Sequence, residues 1–136
     1  MSDLKPEILS PAGTNESLAA AVRCGADAVY LGAKNFSARR NAENFGTAEL
    51  AEAVGYCHER GVKVYLTLNT MIKSKELYDA FETAKKAYES GADAIIISDL
   101  GLADVLRRQI PDFSLHGSPQ LSVHSPAALS ILKEKG

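Results

Sequence analysis

The chain has 136 residues and a formal net charge of −2, with 46% hydrophobic and 24% charged residues. This balance is typical of one soluble globular domain. It excludes a global basic field for nucleic acid, so any RNA contact has to be local. No apolar run approaches the roughly 20 residues of a membrane helix, and the N-terminus lacks a signal-peptide core. We therefore expect a cytoplasmic protein with reduced cysteines and no membrane partner.

Strand-like and helix-like segments alternate along the chain. The spacing predicts strands over 7–10, 27–32, 61–70, 93–98 and 113–118. It predicts helices over 14–24, 47–60, 74–90, from the turn at 99–101 to 109, and over 125–135. Gly25, Gly61 and Gly91 are placed to end helices. The alternation indicates parallel strands joined by right-handed crossovers.

One short sequence recurs and indicates the fold. CGADAVYLG begins at Cys24 and SGADAIIIS at Ser90, with RGVKVYLTL between them at Arg60. Short helix-to-strand turns with longer strand-to-helix loops are typical of (β/α)8 barrels, whose sites lie on the longer-loop side. Because a full barrel takes about 250 residues, we predict an α/β fold, a partial TIM-like barrel of about five parallel βα units. Residues 1–136 would form a single, incomplete domain.

The first and last strands of such a sheet have open edges, and three explanations remain at this point. The chain is a fragment of a longer protein, or a second copy covers the edges in a homodimer. Alternatively, the sheet is open and doubly wound.

The segment from Gly61 to Thr70 predicts a strand with two different faces. One face is apolar and suits packing against helices: Val62, Val64, Leu66 and Leu68. The other face would line the barrel interior: Lys63, Tyr65, Thr67 and Asn69. Buried polar groups need partners, so a ligand or cross-strand hydrogen bonds and water must satisfy this second face.

The same phase on the other strands predicts a ligand site near their carboxyl ends. Its further members would be Ser10, Tyr30, Gly32, Ser98, His116 and Ser118. His116 is the candidate catalytic residue, since a histidine at a barrel mouth can act as a general base or orient a carbonyl or carboxylate. The alternative is a hydrogen-bonded structural histidine.

Neither a serine-protease triad nor a metal site is supported by a sequence motif. Ser98, Asp99 and His116 supply the residue types of a serine-protease triad, but no G-x-S-x-G motif accompanies them. The three histidines have no metal-ligand spacing, so no metal site is predicted.

The longest connection, 33–46, contains Lys34, Arg39 and Arg40. Loops of this length in a compact domain are often functional, and arginine can hold a carboxylate or phosphate with two hydrogen bonds. A small anionic ligand, a peptide or an RNA segment is therefore a possible partner, and a solvated basic loop is the alternative.

Five ordered blocks carry a family resemblance: ILSPAG, GADAVYLGAKNFSARRNAENF, HERGVKVYLTLNT, GADAIIISDLG and LHGSPQLSV. Together they resemble the N-terminal half of the collagenase-like peptidase family of unknown catalytic type, over Glu7 to about Val123. The resemblance implies the start of a TIM-like barrel, and it aligns Arg39 and Asn44 with a family block.

The resemblance also implies functions. Some members are described as peptidases or collagenases, which implies a hydrolase. Others look like oxygen-independent RNA or ubiquinone hydroxylation factors that hold an iron–sulfur cluster through cysteines. Those cysteines lie later in the family chain, so the resemblance implies no cofactor here and a cluster only in a C-terminal part. The alternative is a non-catalytic binding or assembly module that pairs through its open sheet edges.

Overall fold

The computed structural model describes residues 5–38 and 45–136. The strands are β1 Leu9–Pro11, β2 Ala28–Gly32, β3 Lys63–Leu68, β4 Ala94–Ile97 and β5 Ser114–Gly117. The helices are α1 Asn15–Arg23, α2 Thr47–His58, α3 Leu77–Glu89, α4 Leu100–Gln109 and α5 Pro126–Lys135. Short 3₁₀ turns cover Ser74–Glu76 and Pro119–Leu121. Each predicted strand and helix is present, and within the described ranges no helix has the length and apolarity to cross a membrane.

The five strands form one parallel sheet in the order β1-β2-β3-β4-β5. Tyr30 pairs with Tyr65, Tyr65 with Ala94, and Ala94 with Ser114. A doubly wound sheet reverses its strand order at a switch point, whereas this order follows the chain, as in a TIM barrel. The sheet is therefore a partial TIM-like barrel, and the doubly wound alternative is wrong.

The two faces of the sheet differ as β3 predicts. On one face the apolar residues of β2, β3 and β4 pack with the helices in the main core: Val29, Leu31, Val64, Leu66, Leu68, Ile95 and Ile97. The other face, which we call the inner face, carries a separate small cluster: Ala28, Tyr65 and Ala94, flanked by Tyr30 and Ile96. The inner face is the one that would line a complete barrel.

The recurring GAD sequence has a structural cause. Gly25 and Gly91 have φ angles of +88° and +87°, in the left-handed region that L side chains rarely adopt. Two residues later, Asp27 accepts the N–H of Ile8 at 2.8 Å, and Asp93 accepts the N–H of Val64 at 2.8 Å. Each aspartate thus ties the start of its own strand to the strand beside it.

Helix α3 begins later than predicted. Residues 74–76, expected as its first turn, form a 3₁₀ turn in which Glu76 accepts the N–H of Lys73 at 2.9 Å. Helix α2 begins at Thr47 as predicted, and Glu49 accepts the N–H of its N-cap, Gly46, at 2.6 Å. In both places a glutamate in the first turn satisfies a backbone donor at the start of the helix.

Candidate functional site

The inner face brings two of the predicted site residues into contact. The rings of Tyr65 and His116 lie 4.8 Å apart at 77°, an edge-to-face arrangement. Tyr65 is only 5% exposed, whereas His116 is exposed and Tyr30 half-buried. Tyr30 is in register with Tyr65 and packs against the same small cluster, so all three rings lie on the inner face. We call Tyr30, Tyr65 and His116 the ring surface.

Thr67 and Asn69 lie further along β3, and both are hydrogen-bonded within the chain. The hydroxyl of Thr67 donates to the carbonyl of Leu31 at 3.1 Å and lies 3.0 Å from the hydroxyl of Ser37. The side-chain oxygen of Asn69 accepts the N–H of Ala38 at 3.1 Å. These two residues therefore join the segment after β2 to the end of β3. At these positions the polar groups of β3 are satisfied by hydrogen bonds within the chain.

The segment after β2, residues 33–38, has an unusual backbone. Phe36 has a φ of +63°, which is rare for a bulky residue and is found where the surroundings hold it. Its carbonyl accepts the N–H of Thr70 at 3.2 Å. Ala33 bridges to Phe45 on the far side of the connection, so the two described ends of the long loop lie together.

The loop residues expected to bind an anion are only partly described. Lys34 pairs with Glu49 at 3.5 Å. Arg39, Arg40 and Asn44 lie outside the described residues, so their role stays a prediction.

The serines of the predicted site lie in three different places. Ser10 is in register with Val29, so its side chain lies on the helix side of the sheet. The prediction grouped Ser10 with the residues of the inner face, and the observed alternation differs from that by one residue. Ser98 donates its hydroxyl to the Thr70 carbonyl at 3.3 Å. Ser118 is buried, and its hydroxyl accepts the N–H of Gln120 at 3.2 Å.

The residue types of a triad are present but not connected. Ser98 bonds to a backbone carbonyl, and Asp99 caps α4 by accepting the N–H of Leu102 at 2.8 Å. Among residues 5–38 and 45–136, no hydroxyl or thiol is hydrogen-bonded to His116 in the structure. The described residues therefore contain no prepared nucleophile–base pair around this histidine.

A groove of about 650 Å³ runs beside β5, between it and the ends of α4 and α5. His116 and Ser118 line it together with His124, which the sequence left unassigned. The rest of its lining is mainly apolar and includes Leu115 and Leu129. His116 thus lies where the inner face meets this groove.

Two charged residues at the base of the inner face were not predicted as site residues. Glu7 accepts hydrogen bonds from the hydroxyl of Tyr65 at 2.7 Å and from the ammonium of Lys63 at 3.1 Å. The hydrogen bond from Tyr65, followed by that from Lys63, holds the pKa of Glu7 below its usual value. Burial, with the same hydrogen bond, raises the pKa of Tyr65. Glu7 has the same alternation phase as Leu9 and Pro11, which pair with Ala28 and Tyr30, and this phase was the missed signal.

The cysteines present do not fit an iron–sulfur cluster. Cys57 is fully buried in the core on α2, and burial raises the pKa of its thiol to about 11. Iron–sulfur clusters are usually held by four cysteine thiolates, and the sequence has two cysteines. Cys24 is exposed at the end of α1. In the part of the chain that the structure describes, no group of three or more His, Cys, Asp or Glu side chains suits a metal ion.

Comparison with known proteins identifies the family. The sequence model of Peptidase family U32 matches residues 13–136. "tRNA hydroxylation protein P1" of Bacillus subtilis (strain 168) is 35% identical over 132 residues, 97% of this chain and 31% of that protein. "23S rRNA 5-hydroxycytidine C2501 synthase" of Escherichia coli (strain K12) is 36% identical over 136 residues, 100% of this chain and 20% of that protein.

Other relatives carry protease names. "Uncharacterized protease MJ0090" of Methanocaldococcus jannaschii is 38% identical over 117 residues, 86% of this chain and 28% of that protein. The solved U32 peptidase Mk0906 superposes with a TM-score of 0.79 at 17% identity, over 100% of this chain and 57% of that one, which shows the shared fold. This chain spans less than a third of the length of each of the three curated relatives described above. On this evidence the chain belongs to Peptidase family U32.

Proposed function

We propose that this chain supplies a substrate-binding wall in an RNA-hydroxylating member of the family, and that its ring surface holds an unpaired RNA base. The observation that carries the proposal is the position of exposed His116 and half-buried Tyr30 on the inner face, supported from below by Tyr65. Unpaired RNA bases are typically recognised by stacking on tyrosine and histidine rings. In this proposal His116 contacts the base directly.

We favour RNA over peptide as the substrate. Relatives named for tRNA and rRNA hydroxylation match 97% and 100% of this chain, and relatives named as a protease and a collagenase match 86% and 90%; we take the RNA-related names as the guide because the ring surface suits a base. The geometry gives less support to peptide cleavage, because the hydroxyls of Ser98 and Ser118 are engaged with the backbone. Covalent hydrolysis by a serine needs its hydroxyl within reach of a base.

The charge of the chain sets the expected mode of binding. With a net charge of −2, phosphate contacts would be few, and Arg39 with Asn44 on the long loop are the proposed ones. Each phosphate that is neutralised contributes about −0.7 to the slope of log K against log salt for single strands. Because Arg39 is charged and Asn44 is not, we expect one neutralised phosphate and a slope of about −0.7, with stacking supplying most of the affinity.

The proposal places any iron–sulfur cluster in the part of the longer relatives that this chain does not span. It keeps a cytoplasmic location, as the sequence led us to expect. It assigns the RNA-binding surface to this chain and the redox chemistry to the remainder of the protein.

Binding of a short fluorescent oligocytidine by the purified chain, measured by anisotropy at low and moderate salt, tests the proposal. His116→Ala should weaken binding about 5-fold or more, as expected for loss of a stacking contact of about 1–3 kcal/mol. His58→Gln is the matched control, because His58 lies on α2 and pairs with Asp93. Equal affinities for wild type and His116→Ala would contradict the proposal.

A second candidate function is assembly through the open sheet edges. At the β1 edge, Ile8 is 53% and Leu9 42% exposed, and an unpaired edge with exposed apolar residues favours pairing with another chain. We infer a homodimer as the simplest product. Native mass spectrometry at micromolar concentration should show the dimer, and Leu9→Lys should reduce it; a monomer for the wild-type chain would contradict this inference.

A further inference from the structure

The inner face carries one hydrogen-bonded contact that the proposed function does not use. The carboxylate of Glu7 lies just ahead of β1, where it accepts the hydroxyl of Tyr65 at 2.7 Å and the ammonium of Lys63 at 3.1 Å. Glu7 and Tyr65 are 58 residues apart in the chain. This contact therefore fixes the position of a ring in the middle of the sheet from the opening strand.

Tyr65 is held at both ends. Its hydroxyl is bonded to Glu7, and the ring itself lies edge-to-face with His116 at 4.8 Å. Little of Tyr65 is open to solvent, so it does not offer its own ring face to a ligand. What it offers is a fixed support for the ring beside it.

His116 needs such a support. It lies on β5, which is the last strand of the sheet, and its side chain is exposed. In the described structure its ring contact is with Tyr65, and an aromatic pair of this kind favours one arrangement about 2- to 12-fold. If the Tyr65 ring shifts, the preferred orientation of the His116 ring shifts with it.

We propose that Glu7 is a positioning residue for the RNA site, acting through Tyr65 to orient the His116 ring. This inference rests on the proposed function, in which His116 contacts the base. Glu7 itself touches no RNA; it sets the ring surface before the ligand arrives. Glu7 is a carboxylate at neutral pH, and a carboxylate is the stronger acceptor for the Tyr65 hydroxyl.

The test follows the ring protons of His116 by NMR, because they report their position relative to the Tyr65 ring without any RNA. Glu7→Ala and Tyr65→Phe should both move these resonances toward those of an exposed histidine. Glu7→Gln should move them less, because its amide oxygen still accepts the hydrogen bond from the Tyr65 hydroxyl. Lys63→Gln is the matched control: it removes the other partner of Glu7 and should leave the His116 resonances in place.

The same variants are then titrated with oligocytidine. Glu7→Ala should weaken binding about 2- to 12-fold, the range set by the aromatic pair, and Glu7→Gln by less. Tyr65→Phe retains the ring and the core packing, so it keeps the test valid if Glu7→Ala unfolds.

The outcomes separate this inference from the proposed function. The Glu7 carboxylate also interacts electrostatically with His116, so Tyr65→Phe, which keeps that charge, decides between the two routes. Unchanged His116 resonances in folded Tyr65→Phe would overturn the positioning role. Resonances that move while His116→Ala binds RNA like wild type would support the positioning role and contradict the proposed RNA contact.

Discussion

Replacing Thr67 with valine tests whether the polar face of β3 is structural or ligand-binding at that position. Thr67 is buried, and its hydroxyl takes part in two hydrogen bonds, to the Leu31 carbonyl and the Ser37 hydroxyl. A typical intramolecular hydrogen bond contributes about 0.5–1.5 kcal/mol to stability. Because valine preserves the shape of threonine, we expect Thr67→Val to lower the free energy of unfolding by about 1–3 kcal/mol.

Urea denaturation of four chains gives the answer: wild type, Thr67→Val, Ser37→Ala and the double variant. A double-mutant cycle isolates the Thr67–Ser37 contact, and we expect a coupling of about 0.5–1.5 kcal/mol. An RNA titration of Thr67→Val is the companion measurement. A variant as stable as wild type that has lost RNA binding would refute the structural assignment of Thr67 and return it to the ligand site.

Three further predictions follow from single contacts. Gly55 is an exposed residue within α2 and the space around it is open, so Gly55→Ala should stabilise the chain by about 0.5–1 kcal/mol. Gly91 has a φ of +87°, so Gly91→Ala should destabilise the chain by about 1–2 kcal/mol. Urea midpoints measure both, and a gain in stability for Gly91→Ala would contradict the assigned backbone. The pKa of Glu7 is lower in the folded chain, mainly through the hydrogen bond from Tyr65. Glu7 therefore contributes fully to the free energy of unfolding above about pH 4.5, and this contribution is lost as the pH falls through the folded pKa. Glu7→Gln should show a shallower loss of stability in acid, and identical pH profiles for the two chains would argue against this role. A thiol reagent at pH 8 should label exposed Cys24 quickly and buried Cys57 only after unfolding. Mass spectrometry of the labelled chain shows which cysteine has reacted.

The alternation of residues predicted the fold well because it reflects burial directly. Val64 and Leu66 face the helices, and Tyr65 and Thr67 face away, as their spacing requires. Glycines with positive φ marked the helix ends at the same places. These signals are local, so no knowledge of distant contacts was needed.

The site was predicted less completely because it depends on register and distant partners. Ser10 was assigned to the inner face by its place at a strand end, but its pairing with Val29 puts it on the other face. Glu7 was missed because its partners lie 56 and 58 residues away. Thr67 and Asn69 were correctly expected on the polar side of β3, yet their partners in the segment 33–38 could not be read from spacing.

The most direct test of the central claim is photo-crosslinking of the purified chain to a short oligocytidine, with the linked residues identified by mass spectrometry. We expect crosslinks on the inner face, at His116 and Tyr30, and we expect His116→Ala to reduce their yield while His58→Gln leaves it unchanged. Crosslinks confined to the helix side of the sheet, or the same yield from His116→Ala, would contradict it.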